Sequence, residues 1–342
     1  MTQYADNGGI RIAFEDLGGA GGDPLLLVMG LGTSRCWWPD GLVSELVRRG
    51  FHVVAYDQRD IGQSSHLPDQ RVGPPIAALL RRTVPAYTAE DLTDDAVAVL
   101  DALGWESAHL FGHSMGGLVA QRIAIRHPKR VRTLASSSAV PSDVKGLSVL
   151  RYLHVATVVR FARLRYPETP QGNLDLAVAF ARIVAAPGQL IDEHDVREFV
   201  DKEAAYRIAS FRDSKAQSRQ IGAKWHGDQL ARIAAPTLVL HGERDPLLRV
   251  AAARYIAAAV PGARLRIMPG VGHFLARDVW ATYADELRAL ADRADRADAD
   301  RADADRDDAD RDDADRDDAD RDDAERPAVT ERTGRAQATH RL

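Results

Sequence analysis

A single cysteine, Cys36, stands among 342 residues, so no intrachain disulfide can form and a disulfide framework is excluded. Long apolar runs are missing too. The longest clean one, Leu25 to Met29 with its flanks, falls far short of the roughly 20 residues that cross a bilayer. The opening residues, MTQYADNGGI, have neither a basic n-region nor an apolar h-region, which predicts no secretory leader, no membrane association and a cytoplasmic location. Charge is nearly balanced, 45 Lys and Arg against 50 Asp and Glu, without the basic stripe that nucleic-acid binding requires. No H-E-x-x-H is present and one cysteine cannot build a Cys-rich site, so no metal is expected. The glycine-rich stretches Gly18–Gly22 and Gly30–Gly32 lack dinucleotide or Walker spacing, so no cofactor is implied.

What charge there is lies unevenly. Residues 291–326 hold 17 Asp and one Glu against eight Arg, settling into a repeating DRDDA. With no apolar residue larger than Ala in 291–326, that repeat cannot bury a core, and residues 291–342 are expected to be solvated and mostly disordered. Opposite charges at i,i+4, such as Asp307/Arg311 and Asp312/Arg316, support only transient helix against the poor propensity of Asp.

The rest of the chain alternates short apolar runs with amphipathic stretches, the pattern of a mostly parallel sheet wrapped by helices. Asn7-Gly8-Gly9 between Tyr4–Asp6 and Ile10–Glu15 predicts an opening hairpin. The runs at 24–30, 51–57, 107–112, 131–137, 236–242 and 264–270 read as strands buried on both faces. Helices are predicted over Asp40–Gly50, Ala89–Leu103 (with Thr88 as N-cap and Asp91 at N3), Met115–Arg126, Pro246–Val260 and Ala276–Leu290. Residues 141–227 break the alternation, with helical patterns at Val149–Leu164, Leu174–Val184 and Glu193–Ile208 and no comparable strand. They form an insertion within a core built from 1–140 and 228–290.

The segment Ala108–Val119 contains G-x-S-x-G as Gly112, Ser114 and Gly116, with an apolar strand running in and a helix leaving. A serine on such a tight turn is held in an unfavourable backbone conformation with its hydroxyl exposed. The flanking glycines allow close approach, and the helix N-terminus aims free N–H groups at developing negative charge. This nucleophile elbow resembles that of the α/β-hydrolase superfamily. MGLGTS, YDQRDIGQSS and YTAEDLTDDAVAVLDALG are similar to the branch with aclacinomycin methylesterase-type and 3-oxoadipate enol-lactonase-type enzymes. The likeness covers roughly residues 1–290 and is weak across 141–227.

The resemblance implies a triad in the order Ser, acid, His. His273, in the glycine-rich loop Pro269–Phe274 after the last strand, is the expected base. His241, ending a strand, reads as structural, and His113, inside the elbow, is expected to point away. Asp245 in His241-Gly242-Glu243-Arg244-Asp245-Pro246 fits the family pattern for the acid, 28 residues before His273. The other reading of Asp245 is a helix N-cap before Pro246, a role not easily combined with the first; Asp143 and Glu243 are the other acids considered. The oxyanion hole is assigned to the backbone N–H groups of Met115 and Leu31, although many relatives have His-Gly where this chain has Met29-Gly30. Asp57–Ser64 resembles a family D-x-R-G-x-G-x-S turn, with Asp60 replacing a glycine, and is expected to brace the site. Trp37 and Trp38 either line an acyl or ring pocket under the 141–227 cap or belong to the core. The function implied is hydrolysis of a small to medium apolar ester or lactone. Perhydrolysis, C–C bond hydrolysis on the same triad and a non-catalytic binding role are the alternatives.

Overall fold

A computed structural model describes residues 1–67, 86–297, 299–300 and 306. Eight strands form one sheet: β1 (Gln3–Asn7), β2 (Ile10–Gly18), β3 (Asp23–Val28), β4 (Phe51–Tyr56), β5 (Ala108–His113), β6 (Val131–Ser137), β7 (Thr237–Gly242) and β8 (Arg264–Met268). Their spatial order is β1-β2-β4-β3-β5-β6-β7-β8. The expected hairpin makes β1 and β2 antiparallel, β2 joins β4 antiparallel, and every later pairing is parallel.

The continuous apolar runs exist because both sheet faces are covered. In β3, Leu25 and Leu27 face a cluster with Leu42 and Leu46 of α1 (Asp40–Arg48), while Leu26 and Val28 face the opposite side. There they meet α2 (Ala89–Ala102), α3 (Met115–Arg126) and, further along the sheet, α8 (Val250–Ala259). The N-terminus of α2 closes with the expected capping box: Thr88 Oγ1 accepts from the Asp91 N–H, and the Thr88 N–H donates to Asp91 at 2.7 Å.

Between β6 and β7 the chain is helical: a 3-10 turn Gly146–Tyr152, then α4 (Val155–Ala162), α5 (Pro170–Val184), α6 (Glu193–Ala205) and α7 (Ser214–Gly222). The single helix expected over 149–164 is broken at Leu153, which bridges to Leu248, and at His154, whose N–H goes to the Leu247 carbonyl. α7 has no counterpart in the sequence reading.

Two expected boundaries shift. The helix placed at Pro246–Val260 begins at Val250, because the Leu247 and Leu248 N–H groups are taken by Asp245. The last helix of the first unit, α9, covers 280–294, and Ala291 and Ala294 are buried as Leu290 is, so that unit continues to Ala294 past the boundary expected at 290. Of the unit that begins at Asp295, the described residues are helical. The rest of the DRDDA repeat, and its expected disorder, lies outside the described residues. Among the described residues no helix is long and apolar enough to cross a membrane.

Candidate active site

The parallel strands β3, β5, β7 and β8 release their chains at one edge of the sheet, where open α/β folds bind ligands. Ser114 follows β5 with φ 58° and ψ −124°, a left-handed conformation that a non-glycine residue holds at about 1–3 kcal/mol. Close packing enforces it. A side chain on Gly116 would fall inside the Val28 carbonyl, and one on Gly112 inside that of Gly116. Ser114 occupies the N-cap position of α3, yet its hydroxyl makes no capping hydrogen bond. Its N–H is fixed by the Ser137 carbonyl at 2.8 Å.

Asp245 and His273 meet after β7 and β8. His273 Nδ1 lies 2.7 Å from Asp245 Oδ2, and both residues are buried. Asp245 Oδ1 accepts the N–H groups of Leu247 and Leu248, each at 2.8 Å. The helix N-cap is Arg249, not Asp245, whose one oxygen closes the turn ahead of α8 while the other holds His273. Burial disfavours the ionised carboxyl, but the facing His273 and its hydrogen bond outweigh that and bring Asp245 down to about 2.

His113 does not point away from this pair. Its ring centroid is 4.8 Å from that of His273, and its Nδ1 lies 3.2 Å from Ser137 Oγ, which pairs with the Tyr283 hydroxyl at 3.0 Å. Burial, and then the neighbouring His273, hold His113 well below the usual imidazole range, so it is neutral. Among the described residues no hydrogen bond joins Ser114 Oγ to His273, and such contacts commonly tighten only with substrate bound. His241 is fully buried with Nε2 3.2 Å from the Leu248 carbonyl, in keeping with a structural role. Glu243 braces the Gly270 N–H, and Asp143 makes no contact with His273 among the described hydrogen bonds.

The Met29–Ser34 loop, leaving β3, lies against the serine: a Cβ on Gly30 would stand 3.1 Å from Ser114 Cβ. Several of its carbonyls are occupied. Met29 accepts from Gln58 Nε2, Gly30 from Thr33 Oγ1 and Gly32 from the Phe211 N–H. The Leu31 N–H lies on this loop, and the Met115 N–H belongs to the first turn of α3, where helix N–H groups lack intrahelical partners.

The Asp57–Ser64 turn is tied down by buried hydrogen bonds and ion pairs. Asp57 is paired with the buried Arg35 and accepts the N–H groups of Arg35 and Gln63. Asp60, standing where the family has glycine, keeps the left-handed backbone at φ 68° and forms a two-pronged ion pair with Arg219 of α7 at 2.7 and 3.0 Å. Trp38 is 1% exposed and packs on Phe111, in the core cluster that also holds Trp37. Trp37 packs against Phe180, Phe199 and Phe211 of the insertion. The insertion reaches the histidine loop as well, since the Val184 carbonyl accepts the His273 N–H at 2.8 Å.

Residues 23–276 match the family model described as alpha/beta hydrolase fold. The chain belongs to that family. This alpha/beta hydrolase is 29% identical over 296 residues to rhodomycin D methylesterase DnrP of Streptomyces peucetius, covering 80% of this chain and 92% of the relative. It is 30% identical over 277 residues to rhodomycin D methylesterase DauP of Streptomyces sp. strain C5, covering 76% and 88%. Among solved structures, the meta-cleavage product hydrolase of Pseudomonas fluorescens IP01 shares the fold at a TM-score of 0.63 and 17% identity, covering 85% of this chain and 98% of that one. What sequence reasoning missed is polar and lies in the insertion or the last helix: Arg219, Glu203 and Tyr283. Asp60, a charged residue in a glycine position, was the one available signal that a cation lay opposite.

Proposed function

We propose that this chain hydrolyses carboxylic esters through an acyl-enzyme, with Ser114 as nucleophile, His273 as base and Asp245 as the acid that orients it. The observation that carries the reading is the Asp245–His273 pair at 2.7 Å, whose imidazole packs on the residue preceding a strained, uncapped serine. The resemblance to methylesterases supports an ester of an apolar acid with a small alcohol.

Ser114 Oγ attacks the carbonyl carbon while His273 Nε2 takes its proton, and Asp245 stabilises the imidazolium through Nδ1. The Leu31 and Met115 N–H groups hold the tetrahedral oxygen. Collapse expels the alcohol, which receives the proton from His273. Water, deprotonated by the same imidazole, then releases the acid and restores the serine. Each oxyanion donor is worth about 10²–10³ in rate. Residues 141–227 serve as a cap, with Trp37 and its neighbouring phenylalanines as the apolar wall for the acyl or ring portion. Turnover of p-nitrophenyl and methyl esters of graded acyl size tests the proposal. Ser114→Ala is expected to lose turnover by about 10⁴-fold or more while keeping the wild-type circular dichroism. Near-normal turnover by that variant refutes the assignment.

A further inference from the structure

Glu203 lies in α6 of the insertion, 4% exposed, and among the described residues no arginine, lysine or histidine forms an ion pair with it. A buried carboxylate without a cation is costly unless donors surround it. Here they do. Oε1 accepts from Ser34 Oγ at 2.6 Å, from Trp37 Nε1 at 3.0 Å and from Ser210 Oγ, and Oε2 accepts the Ser210 N–H at 3.1 Å. Burial pushes the carboxyl up, and these donors oppose it.

Ser34 and Trp37 leave directly from the loop that abuts Ser114. The same stretch of the insertion reaches that loop at three more places: the Phe211 N–H binds the Gly32 carbonyl at 3.0 Å, Ser210 Oγ accepts the Ser34 N–H at 3.1 Å, and the Gln217 side chain covers Gly32. Helix packing alone does not call for a charge at this position; a glutamate on a helix ordinarily faces water.

We infer that Glu203 is a positioning residue: its carboxylate gathers Ser34, Trp37 and Ser210 and thereby sets the placement of the 30–34 loop, and with it the Leu31 N–H, over Ser114. The inference rests on the ester-hydrolase reading above. It makes Glu203 a determinant of the rate of chemistry, not of substrate affinity, because the loop it fixes holds charge that develops only in the transition state.

The test uses the full-length chain and its Glu203→Ala, Glu203→Gln and Ser34→Ala variants. Two quantities are read: amide hydrogen exchange over peptides spanning 30–38 and 108–120, and kcat and KM on p-nitrophenyl butyrate. Glu203→Ala is expected to speed exchange in 30–38 alone and to lower kcat by about tenfold to a hundredfold, with KM within about twofold. Glu203→Gln keeps a carbonyl oxygen for Ser34 and Trp37 and is expected to recover most of kcat. Should Glu203→Ala fail to fold, Ser34→Ala decides, with faster exchange in 30–38 and a severalfold lower kcat expected. Unchanged exchange in 30–38, or faster exchange with unchanged kcat, or a loss confined to KM, overturns the inference. Labelling of wild-type Ser114 by a fluorophosphonate, read in parallel, separates the two claims. If the serine is not labelled, the hydrolase reading fails and the inference falls with it; if it is labelled and Glu203→Ala keeps its kcat, only the role of Glu203 fails.

Discussion

Asp245 and His273 are joined Oδ2 to Nδ1 at 2.7 Å, while the second oxygen of the same carboxylate holds the turn that leads to α8. One side chain therefore fixes both the imidazole and the loop that presents the acid. The two functions can be separated by substitution.

Asp245→Asn retains a carbonyl oxygen for the Leu247 and Leu248 N–H groups but replaces the acceptor facing His273 Nδ1 with an amide. The variant is expected to fold and to lose about 10⁴ in kcat, because the histidine is no longer held in its productive tautomer. Asp245→Ala is expected to lose stability as well. Esterase kinetics alongside thermal unfolding of both variants check this.

The depressed acidity of Asp245 has a consequence for stability. Its carboxyl titrates near 2 when folded, against an ordinary value of 3.8. The unfolded chain therefore binds the proton first as pH falls. The ionised Asp245 carboxylate contributes about 2 kcal/mol that is fully present above about pH 5 and is lost as pH drops through about 2. Urea unfolding of wild type and Asp245→Asn from pH 5 downward should show the gap between them narrowing by that amount. A gap that stays constant contradicts it.

Gly30 tests the approach of the loop to the serine. An alanine there places its methyl 3.1 Å from Ser114 Cβ and 3.6 Å from Oγ, tighter than ordinary contact on the first and in van der Waals contact on the second. Gly30→Ala is expected to lower kcat by about tenfold or more, since displacements of about 1 Å at a reacting centre are that costly, while shifting the unfolding temperature by only a few degrees.

Asp60→Gly restores the residue usual in the family and relieves a left-handed backbone, a gain of about 1 kcal/mol. It also strands Arg219, whose side chain is buried opposite it. Loss of one partner from such a pair costs about 3–5 kcal/mol, so the variant is expected to be less stable on balance. Adding Arg219→Leu should restore part of the loss. A double-mutant cycle by chemical denaturation measures the coupling.

Much of the core was legible in the sequence because both sheet faces are covered. Runs such as Leu25-Leu26-Leu27-Val28 can then be apolar without interruption, and glycine marks the elbow at Gly112 and Gly116. The insertion was legible only where its helices bury apolar residues. α7 buries Ala216, Ser218, Arg219 and Gln220, a mostly polar set of which Arg219 is held by Asp60, with no apolar stripe, so no periodicity announces it. Glu203 was hidden for a related reason: two of its donors lie about 170 residues away in Ser34 and Trp37, and a glutamate in a helix reads as a surface residue. The dual role of Asp245 required seeing its two oxygens apart. Trp38 shows the converse: close in sequence to the loop that abuts Ser114, it packs on Phe111.

The most direct measurement is peptide mass mapping of the full-length chain after reaction with a fluorophosphonate, beside the Asp245→Asn variant. The account predicts a single stoichiometric adduct on the peptide carrying Ser114, formed orders of magnitude more slowly in Asp245→Asn. An adduct on another residue, or equal rates for the two proteins, would contradict it.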